Sequence, residues 1–202
     1  NYAKKEDSKK EESDKIKPNK EGKTIHDRPE EIETREEIGH WEMDLVEGLK
    51  GKKEPYLLVL SERKTRKEII ELIPNKEAIS VAKALDRIER EMGVVKFRET
   101  FKTITTDNGA EFKNWKVIEK SYTGSKKTRT TQYFADAYSS WQRGTNENIN
   151  KMIRRFLPKG TSFKGLKQED VKRIEIWINN YPRKILKFKT SEEYYEEQIK
   201  VA

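Results

Sequence analysis

The chain has 202 residues, with 44 Lys or Arg against 36 Asp or Glu, and its formal net charge is +8. It contains no Cys and only two His, which excludes a disulfide scaffold, a zinc ribbon and a His-rich metal site. No apolar run reaches the roughly 18 residues of a membrane span, and no signal peptide is visible. The composition therefore predicts a soluble protein of a reducing compartment with a basic bias.

The positive charge is concentrated in one segment. Residues 141–189 contain 13 Lys and Arg against 4 Asp and Glu, whereas residues 1–37 contain 10 against 12. A solvated Lys-rich surface is one interpretation of such an excess. A concentrated excess is also typical of proteins that bind a polyanion, of which nucleic acid is the commonest.

The chain divides into a polar N-terminal part and a domain. Residues 1–24 carry only Tyr2 and Ile16 as large apolar residues, so this segment cannot bury enough surface to offset its chain entropy. We therefore predict a disordered or extended linker over residues 1–26 and one domain over residues 27–202.

Hydrophobic periodicity within the domain switches between that of strands and that of helices. Strands are predicted at residues 39–47, 56–60, 67–73, 101–106 and 130–134. Helices are predicted at residues 76–92, 111–120, 145–157, 167–180 and 191–199. Early strands, an intervening helix, further strands and late helices predict an α/β domain with a mixed sheet.

Three acidic residues stand where a core-building sequence would not choose them. Asp44 lies within a predicted strand, although Asp is depleted in strands. Asp107 follows another strand, and Glu147 opens a predicted helix that Thr145 or Asn146 can cap. Each has an ordinary explanation as well: a solvent-facing strand residue, an Asp-Asn-Gly turn, and a helix-dipole carboxylate.

The helix that begins near Glu147 has two distinct faces. At 100° per residue, Ile149, Ile153 and Phe156 fall together and predict a buried stripe. Glu147, Lys151 and Arg154 fall on the opposite face. An intrahelical Glu–Lys pair explains that face at small energy, about 0.2–0.5 kcal/mol.

If all three acids act together, they predict a metal site. Mg²⁺ and Mn²⁺ prefer carboxylates, water and phosphate oxygens, and this chain offers carboxylates but no thiolates. Two such ions about 3.5–4 Å apart can support phosphodiester displacement. Asp44, Asp107 and Glu147 are therefore the candidate ligands of Mg²⁺ or Mn²⁺, with two ions expected.

Several stretches resemble a known protein family. WEMDLVEG (41–48), TTDNGAEF (105–112) and YFADAYSSWQRGTNENINKMIRRFLPKGTSF (133–163) resemble the integrase-core signatures of bacterial insertion-sequence transposases, above all the insertion sequence thirty family. DRPEEIETREEIGHWEMD (27–44) and WINNYPRKILKFKTSEEYY (177–195) are similar to parts of the same family. The segment WQRGTNEN is the most specific of these matches.

The resemblance implies a ribonuclease-H-like mixed five-stranded sheet flanked by helices. It also implies a catalytic triad of Asp44, Asp107 and Glu147 that binds two Mg²⁺ ions, cuts transposon DNA ends and transfers the strand into target DNA. Such enzymes act as homo-oligomers on paired DNA ends. We accordingly expect a cytoplasmic, nucleoid-associated bacterial protein that needs no membrane and no small organic cofactor.

The sequence departs from the family pattern in two ways. A gap of 39 residues separates Asp107 from Glu147, longer than is usual in related enzymes, and we attribute the excess to residues 122–131. The helix-turn-helix segments that bind terminal repeats in the family have no counterpart here. We therefore expect that this chain is a catalytic core cut within its linker.

Further residues are assigned by their place beside the triad. We expect Arg143, Lys151, Arg154, Arg155 and Lys159 to contact DNA, mainly its phosphates. Asn108 is expected to orient Asp107 from behind it, and Trp141 to support the loop that precedes Glu147. A turn-forming Asn108 and a core-packing Trp141 are the competing interpretations.

Two other functions remain open at this point. The chain could be a non-catalytic DNA-binding remnant of a transposase that keeps only the basic face. It could also be a ribonuclease H, which uses the same chemistry on RNA–DNA hybrids. The intact triad argues against the first, and the WQRGTNEN match argues against the second.

Overall fold

The computed structural model describes residues 22–51, 53–136 and 144–201, without the side chains of Thr145 and Glu147. Its centre is a mixed five-stranded sheet of spatial order β3-β2-β1-β4-β5. The first three strands are antiparallel, and β1, β4 and β5 are parallel. The strands are β1 (His40–Glu47), β2 (Tyr56–Glu62), β3 (Glu68–Ile73), β4 (Thr103–Thr106) and β5 (Thr131–Phe134).

Seven α-helices and two short 3₁₀ segments are present in the described part of the chain. The 3₁₀ segments are Ile25–Asp27 and Lys184–Leu186. The α-helices are α1 (Glu31–Thr34), α2 (Ala78–Met92), α3 (Val94–Thr100), α4 (Trp115–Glu119), α5 (Gly144–Phe156), α6 (Gln168–Asn179) and α7 (Ser191–Val201). In the described residues we find no helix that is long and apolar enough to cross a membrane.

Strand alternation divides the core into two layers, one on each face of the sheet. On one face, Trp41 and Met43 of β1 pack with α2, α3 and α4. On the other face, Val46 of β1 and Val59 of β2 pack with Ile149 and Ile153 of α5 and with α6. The fold is therefore a three-layer α/β/α arrangement, and Asp44 shares the α5 face because it lies two residues before Val46.

The predicted fold class is confirmed, since the sheet is mixed, has five strands and is flanked by helices. The sequence pattern predicts a helix end at Gly93 and does not predict α3, which follows directly. Gly93 ends α2 and precedes α3 with φ of +87°, a conformation that suits glycine. Phe97 and Phe101 stack at 4.5 Å and bury the inner face of this short helix.

Two details of α5 correct the sequence interpretation. The helix begins at Gly144, so Thr145 and Asn146 lie in its first turn rather than before it. Ile149 and Ile153 are fully buried as predicted, but Phe156 is 41% exposed and packs on Trp177. Leu157 takes the third buried position instead, four residues after Ile153.

The domain makes contacts upstream of the boundary predicted at Asp27. The backbone N–H of Phe134 in β5 donates to the carbonyl of Lys23 at 2.9 Å. Thr24 forms a parallel bridge with the same strand residue. Residues 23 and 24 therefore extend the sheet edge beyond β5.

Candidate active site

Asp44 sits in the middle of β1, opposite Val59 of β2, and is half-buried. Its carboxylate faces α5, because Nδ2 of Asn150 donates to Asp44 Oδ2 at 3.2 Å. Asn150 lies one helical turn after Glu147, and residues three apart share a helix face. The helix that carries Glu147 is thus fixed against Asp44 by a direct hydrogen bond.

Asp107 follows directly on the last residue of β4. Strands β1 and β4 are parallel, with Glu42 paired to Thr105, so Asp44 and Asp107 stand at matching positions two residues further on. Matching positions on adjacent parallel strands place side chains on the same face of a sheet. The topology therefore brings the two predicted aspartates side by side, although 62 residues separate them in the sequence.

The turn after β4 holds Asp107 in a fixed position. The backbone N–H of Gly109 donates to Asp107 Oδ1 at 2.9 Å. A methyl group added at Gly109 would lie 2.9 Å from Asp107 Oδ1 and 2.9 Å from Glu111 Oε2, which is closer than real contacts allow. A side chain here would push the Asp107 and Glu111 carboxylates out of their positions, and a second carboxylate thus lies beside Asp107.

The side-chain amide of Asn108 is bonded to the backbone that follows β5. Its Nδ2 donates to the carbonyl of Ala135 at 2.7 Å, which ties the turn after β4 to the segment after β5. Both segments border the edge of the sheet where Asp107 lies. Asn108 thus holds the backbone that carries Asp107, and its predicted role in orienting the carboxylate stays a prediction.

Glu147 lies in the first turn of α5, and its side chain is outside the described part of the structure. Among the side chains that are described, no group of three acidic or His residues is arranged to hold a metal ion. The complete triad therefore stays a prediction. Its two aspartates and the helix of its glutamate converge on one region of one sheet face.

The predicted DNA-contacting residues fall into different environments. Lys151, Arg155 and Lys159 are exposed. Arg155 lies over the Tyr181 ring with its guanidinium carbon 5.7 Å from the ring centroid. Arg154 instead donates from Nη2 to the carbonyl of Glu47 at 2.8 Å, so part of its hydrogen-bonding capacity fixes α5 to the end of β1. Arg143 and Trp141 lie outside the described residues.

Residues 122–131 are only partly the surface loop that we expected. Arg129, near the end of this segment, is buried. It donates from Nη1 to Asp86 at 2.6 Å and to Glu89 at 3.3 Å, both on α2. Its Nε also donates to the carbonyl of Ile118 at 2.7 Å. The tip of this segment is exposed, whereas its return into β5 is fixed by a buried ion-pair network.

Sequence reasoning missed two polar neighbours of the aspartates. Asn150 left one signal, an Asn within a helix, where Asn is a poor helix former. Glu111 stands within the quoted stretch TTDNGAEF, but nothing in its spacing distinguished it from a surface acid. The structure places Asn150 against Asp44, and Glu111 beside Gly109 and Asp107.

Comparison with known proteins finds relatives that are named as transposases. The chain is 38% identical over 175 residues to a probable transposase of the insertion-like sequence element IS1161 from Streptococcus salivarius, covering 87% of this chain and 46% of the relative. It is 37% identical over 178 residues to a transposase of IS30A from Escherichia coli K12, covering 88% and 43%. Over 87–88% of its own length, the chain is therefore similar to insertion-sequence transposases of the IS30 type.

A further member is a transposase of IS4351 from Bacteroides fragilis, 36% identical over 175 residues, covering 87% of this chain and 50% of that protein. The chain thus spans about half the length of the curated family members that it matches. No model of a known protein family matches the sequence. The resemblance predicted from the three motifs is confirmed at the level of the family.

Proposed function

We propose that this chain is the catalytic domain of a DDE transposase, in which Asp44, Asp107 and Glu147 form the active centre. The observation that carries the proposal is the matching position of Asp44 and Asp107 on adjacent parallel strands, with α5 bonded to Asp44 through Asn150. The names of the relatives support transposition as the biological process.

The proposed reaction has two phosphodiester displacements. In the first, a water oxygen attacks phosphorus at a transposon end, and the P–O3′ bond breaks to leave a 3′-hydroxyl. In the second, this hydroxyl attacks phosphorus in target DNA and displaces its 3′-oxygen, which joins the strands. A homo-oligomer that holds two transposon ends at once is part of the proposal.

The donor set fits Mg²⁺ or Mn²⁺. Both ions prefer carboxylate oxygens, and Asp44 Oδ2, Asp107 and Glu147 supply them without any thiolate. Two bound ions would activate the attacking oxygen and stabilise the leaving oxygen. Gly109 leaves open the space beside Asp107 that any side chain would fill.

A few other described residues have roles in the proposal: some position the two aspartates, and others attract the DNA. Asn150 orients Asp44 by its hydrogen bond, and the Gly109 N–H orients Asp107 in the same way. A hydrogen bond to a metal-binding carboxylate sets the direction in which that carboxylate would face the ion. Exposed Lys151, Arg155 and Lys159 supply cations for the phosphate backbone, so DNA would approach along α5.

Metal-dependent cleavage tests the proposal. Purified wild-type chain and a Glu147→Gln variant are incubated with Mg²⁺ or Mn²⁺ and DNA that carries the ends of the element, and nicks are quantified. The matched control is Glu91→Gln, which changes an exposed acid on the opposite side of the sheet. We expect cleavage by wild type and by the control, and loss of cleavage by Glu147→Gln.

Calorimetric titration with Mn²⁺ separates the two alternatives from the proposal. Mn²⁺ binding that Glu147→Gln weakens supports a catalytic centre, whereas no binding by the wild-type chain favours a DNA-binding remnant. Preferential cleavage of an RNA–DNA hybrid over duplex DNA favours a ribonuclease H. Cleavage by Glu147→Gln at the wild-type rate removes the triad assignment.

A further inference from the structure

A cationic cavity lies at the opposite end of the sheet from Asp107. Its volume is about 300 Å³. The other lining residues are Ile185, Leu186 and Tyr194, so neither Asp nor Glu is among the lining residues in the part of the chain that the structure describes. Six cations line it: Arg35, Arg63, Lys64, Arg66, Lys187 and Lys189.

Three separate segments bring these cations together. Arg35 ends α1, and residues 63–66 form the turn between β2 and β3. Lys187 and Lys189 follow the short 3₁₀ segment before α7. The β2–β3 turn is shaped by the Glu62 carboxylate, whose Oε2 accepts from the Thr65 N–H at 2.6 Å and from the Lys64 N–H at 2.9 Å.

The backbone around the cavity is held in an unfavourable conformation. Arg35, Arg66, Lys187 and Phe188 have φ between +54° and +67°, and they are the only non-glycine residues with positive φ in the described part of the chain. Three of the four line the cavity. Left-handed backbone at a residue with a side chain costs about 1–2 kcal/mol, and such strain clusters at ligand clamps.

The electrostatics of the cavity favour a bound anion. Burial lowers the pKa of Arg63, and burial together with neighbouring Arg63 lowers the pKa of Arg35. Behind them, burial lowers the pKa of Arg28 to about 10. Nη2 of Arg63 donates to Glu33 at 3.0 Å, whereas its Nη1 has no hydrogen-bond partner among the described atoms. An anion in the cavity would offset the repulsion among these cations.

The cavity is linked to the proposed active centre through β1. Nε of Arg63 lies 3.8 Å from Oε1 of Glu42, which shares a face of β1 with Asp44 two residues away. Two strand residues span about 7 Å, much less than the roughly 34 Å of one turn of duplex DNA. The cavity-lining Arg63 and Asp44 are thus joined through Glu42 over a distance that is short on the scale of a duplex.

We propose that this cavity binds a backbone phosphate of the DNA on which the chain acts, away from the strand that is cut. The proposal rests on the proposed function. Arginine presents a planar fork of N–H donors that matches phosphate oxygens, and three arginines converge here. Phe188 and Ile185, 73% and 70% exposed, stand at the rim and offer apolar contact to sugars or bases.

The test measures DNA binding without cleavage. A fluorescent duplex is titrated with the full chain in EDTA across a range of salt concentrations, and log K is plotted against log salt. The test variant is Lys64→Ala/Lys187→Ala. The matched control is Lys83→Ala/Lys96→Ala, which removes two exposed charges from α2 and α3 on the other side of the sheet. Thermal melting by circular dichroism confirms that both variants fold.

One phosphate contact contributes about 0.9 to the slope of that plot, so loss of the phosphate from the cavity in the test variant should lower the slope's magnitude by about 0.9. The control should leave the slope within about 0.5 of the wild-type value. An unchanged slope for the test variant, or an equal fall for the control, overturns the proposal.

A competition arm identifies the occupant. A polyglutamate peptide is added to the chain–duplex complex at matched charge concentration. If the peptide displaces no duplex from wild type, yet itself binds wild type and not the test variant, the cavity holds an acidic protein segment, and the DNA assignment is wrong. Because every reading is taken in EDTA, failure of the catalytic proposal leaves this measurement intact, and the reverse also holds.

Discussion

Two acids on the same face of β1, Glu42 and Asp44, are placed in opposite environments. Glu42 is fully buried, with Arg63 Nε 3.8 Å away. It also lies beside Thr105, whose hydroxyl accepts from Arg28 at 2.9 Å. Asp44 is half-buried and accepts a hydrogen bond from the neutral amide of Asn150.

The difference indicates what each carboxylate does. A buried carboxylate surrounded by arginines has its charge compensated by the fold, and removal of it leaves cations unpaired. Asp44 is only half-buried, and its carboxylate, held by the Asn150 amide, is within reach of a cation from outside. Glu42 should therefore matter for stability, and Asp44 for metal binding and catalysis.

The largest effect is expected from Glu42→Gln. It removes a fully buried charge beside Arg63 and should lower the free energy of unfolding by about 3–5 kcal/mol, since the remaining guanidinium groups stay buried without compensation. Urea denaturation measures the change. The control is Glu47→Gln, an exposed acid at the end of the same strand, which should change stability by less than about 0.5 kcal/mol. A loss below about 1 kcal/mol for Glu42→Gln would erase the distinction between the two acids.

Asp44→Asn should show the reverse pattern. We expect cleavage to fall more than about 100-fold, beyond the 10–100-fold typical for loss of a ligand's hydrogen-bonding partner. The free energy of unfolding should change by less than about 1 kcal/mol, because Asn150 can still bond to an amide oxygen. Initial rates of nicking and urea denaturation are measured on the same preparation. If Asp44→Asn is strongly destabilised and its remaining activity is proportional to the fraction of folded protein, then Asp44 serves stability and its assignment to catalysis is wrong.

Asn150→Ala probes the contact that joins α5 to Asp44. It removes the hydrogen bond to Asp44 Oδ2, so cleavage and Mn²⁺ affinity should each fall about 10-fold. Asn148→Ala is the matched control, since Asn148 is exposed on the same helix and the gain in helix propensity is equal. Rates of nicking and calorimetric titration provide the comparison. Equal behaviour of the two variants would mean that Asn150 does not position Asp44.

The strands and long helices were predictable because their signals are local. The continuous apolar run of β2 and the alternation of β1 each fall within one short segment. Helix α3 escaped because Gly93 is an ordinary helix end and two β-branched residues, Val94 and Val95, follow it. Phe156 was misassigned because Phe156 and Leu157 lie on either side of Ile153 around the helix, and only the packing of the folded chain decides which of the two is buried.

The candidate site was predictable only as a set of residues. Glu42 and Asp44 lie two residues apart on one strand and face the same side of the sheet. No local pattern could therefore separate a buried structural acid from a proposed metal ligand. Their environments are set by Arg63 and Asn150, which come from other parts of the chain. The cationic cavity could not be predicted for the same reason, because it unites three segments that are distant in sequence.

Glu68 is a third acid on this face, and it extends the comparison to pH. Full burial raises the pKa of Glu68 well above its usual value, although Ser61 Oγ donates to Oε2 at 2.5 Å and Arg183 opposes the shift. The folded state therefore holds the proton of Glu68 more tightly than the unfolded state does. This contribution to stability is complete below about pH 4.5 and is lost as the pH rises through the folded pKa.

Glu68→Gln should remove that pH dependence, because the amide mimics the protonated acid. Urea denaturation from pH 4.5 to pH 8 should show that the variant gains stability over wild type as the pH rises, by about 1.4 kcal/mol for each pKa unit of the shift. Glu91→Gln, at an exposed site on α2, should run parallel to wild type throughout. Parallel curves for Glu68→Gln as well would show that Glu68 is charged in the folded protein, compensated by Arg183 as Glu42 is by Arg63.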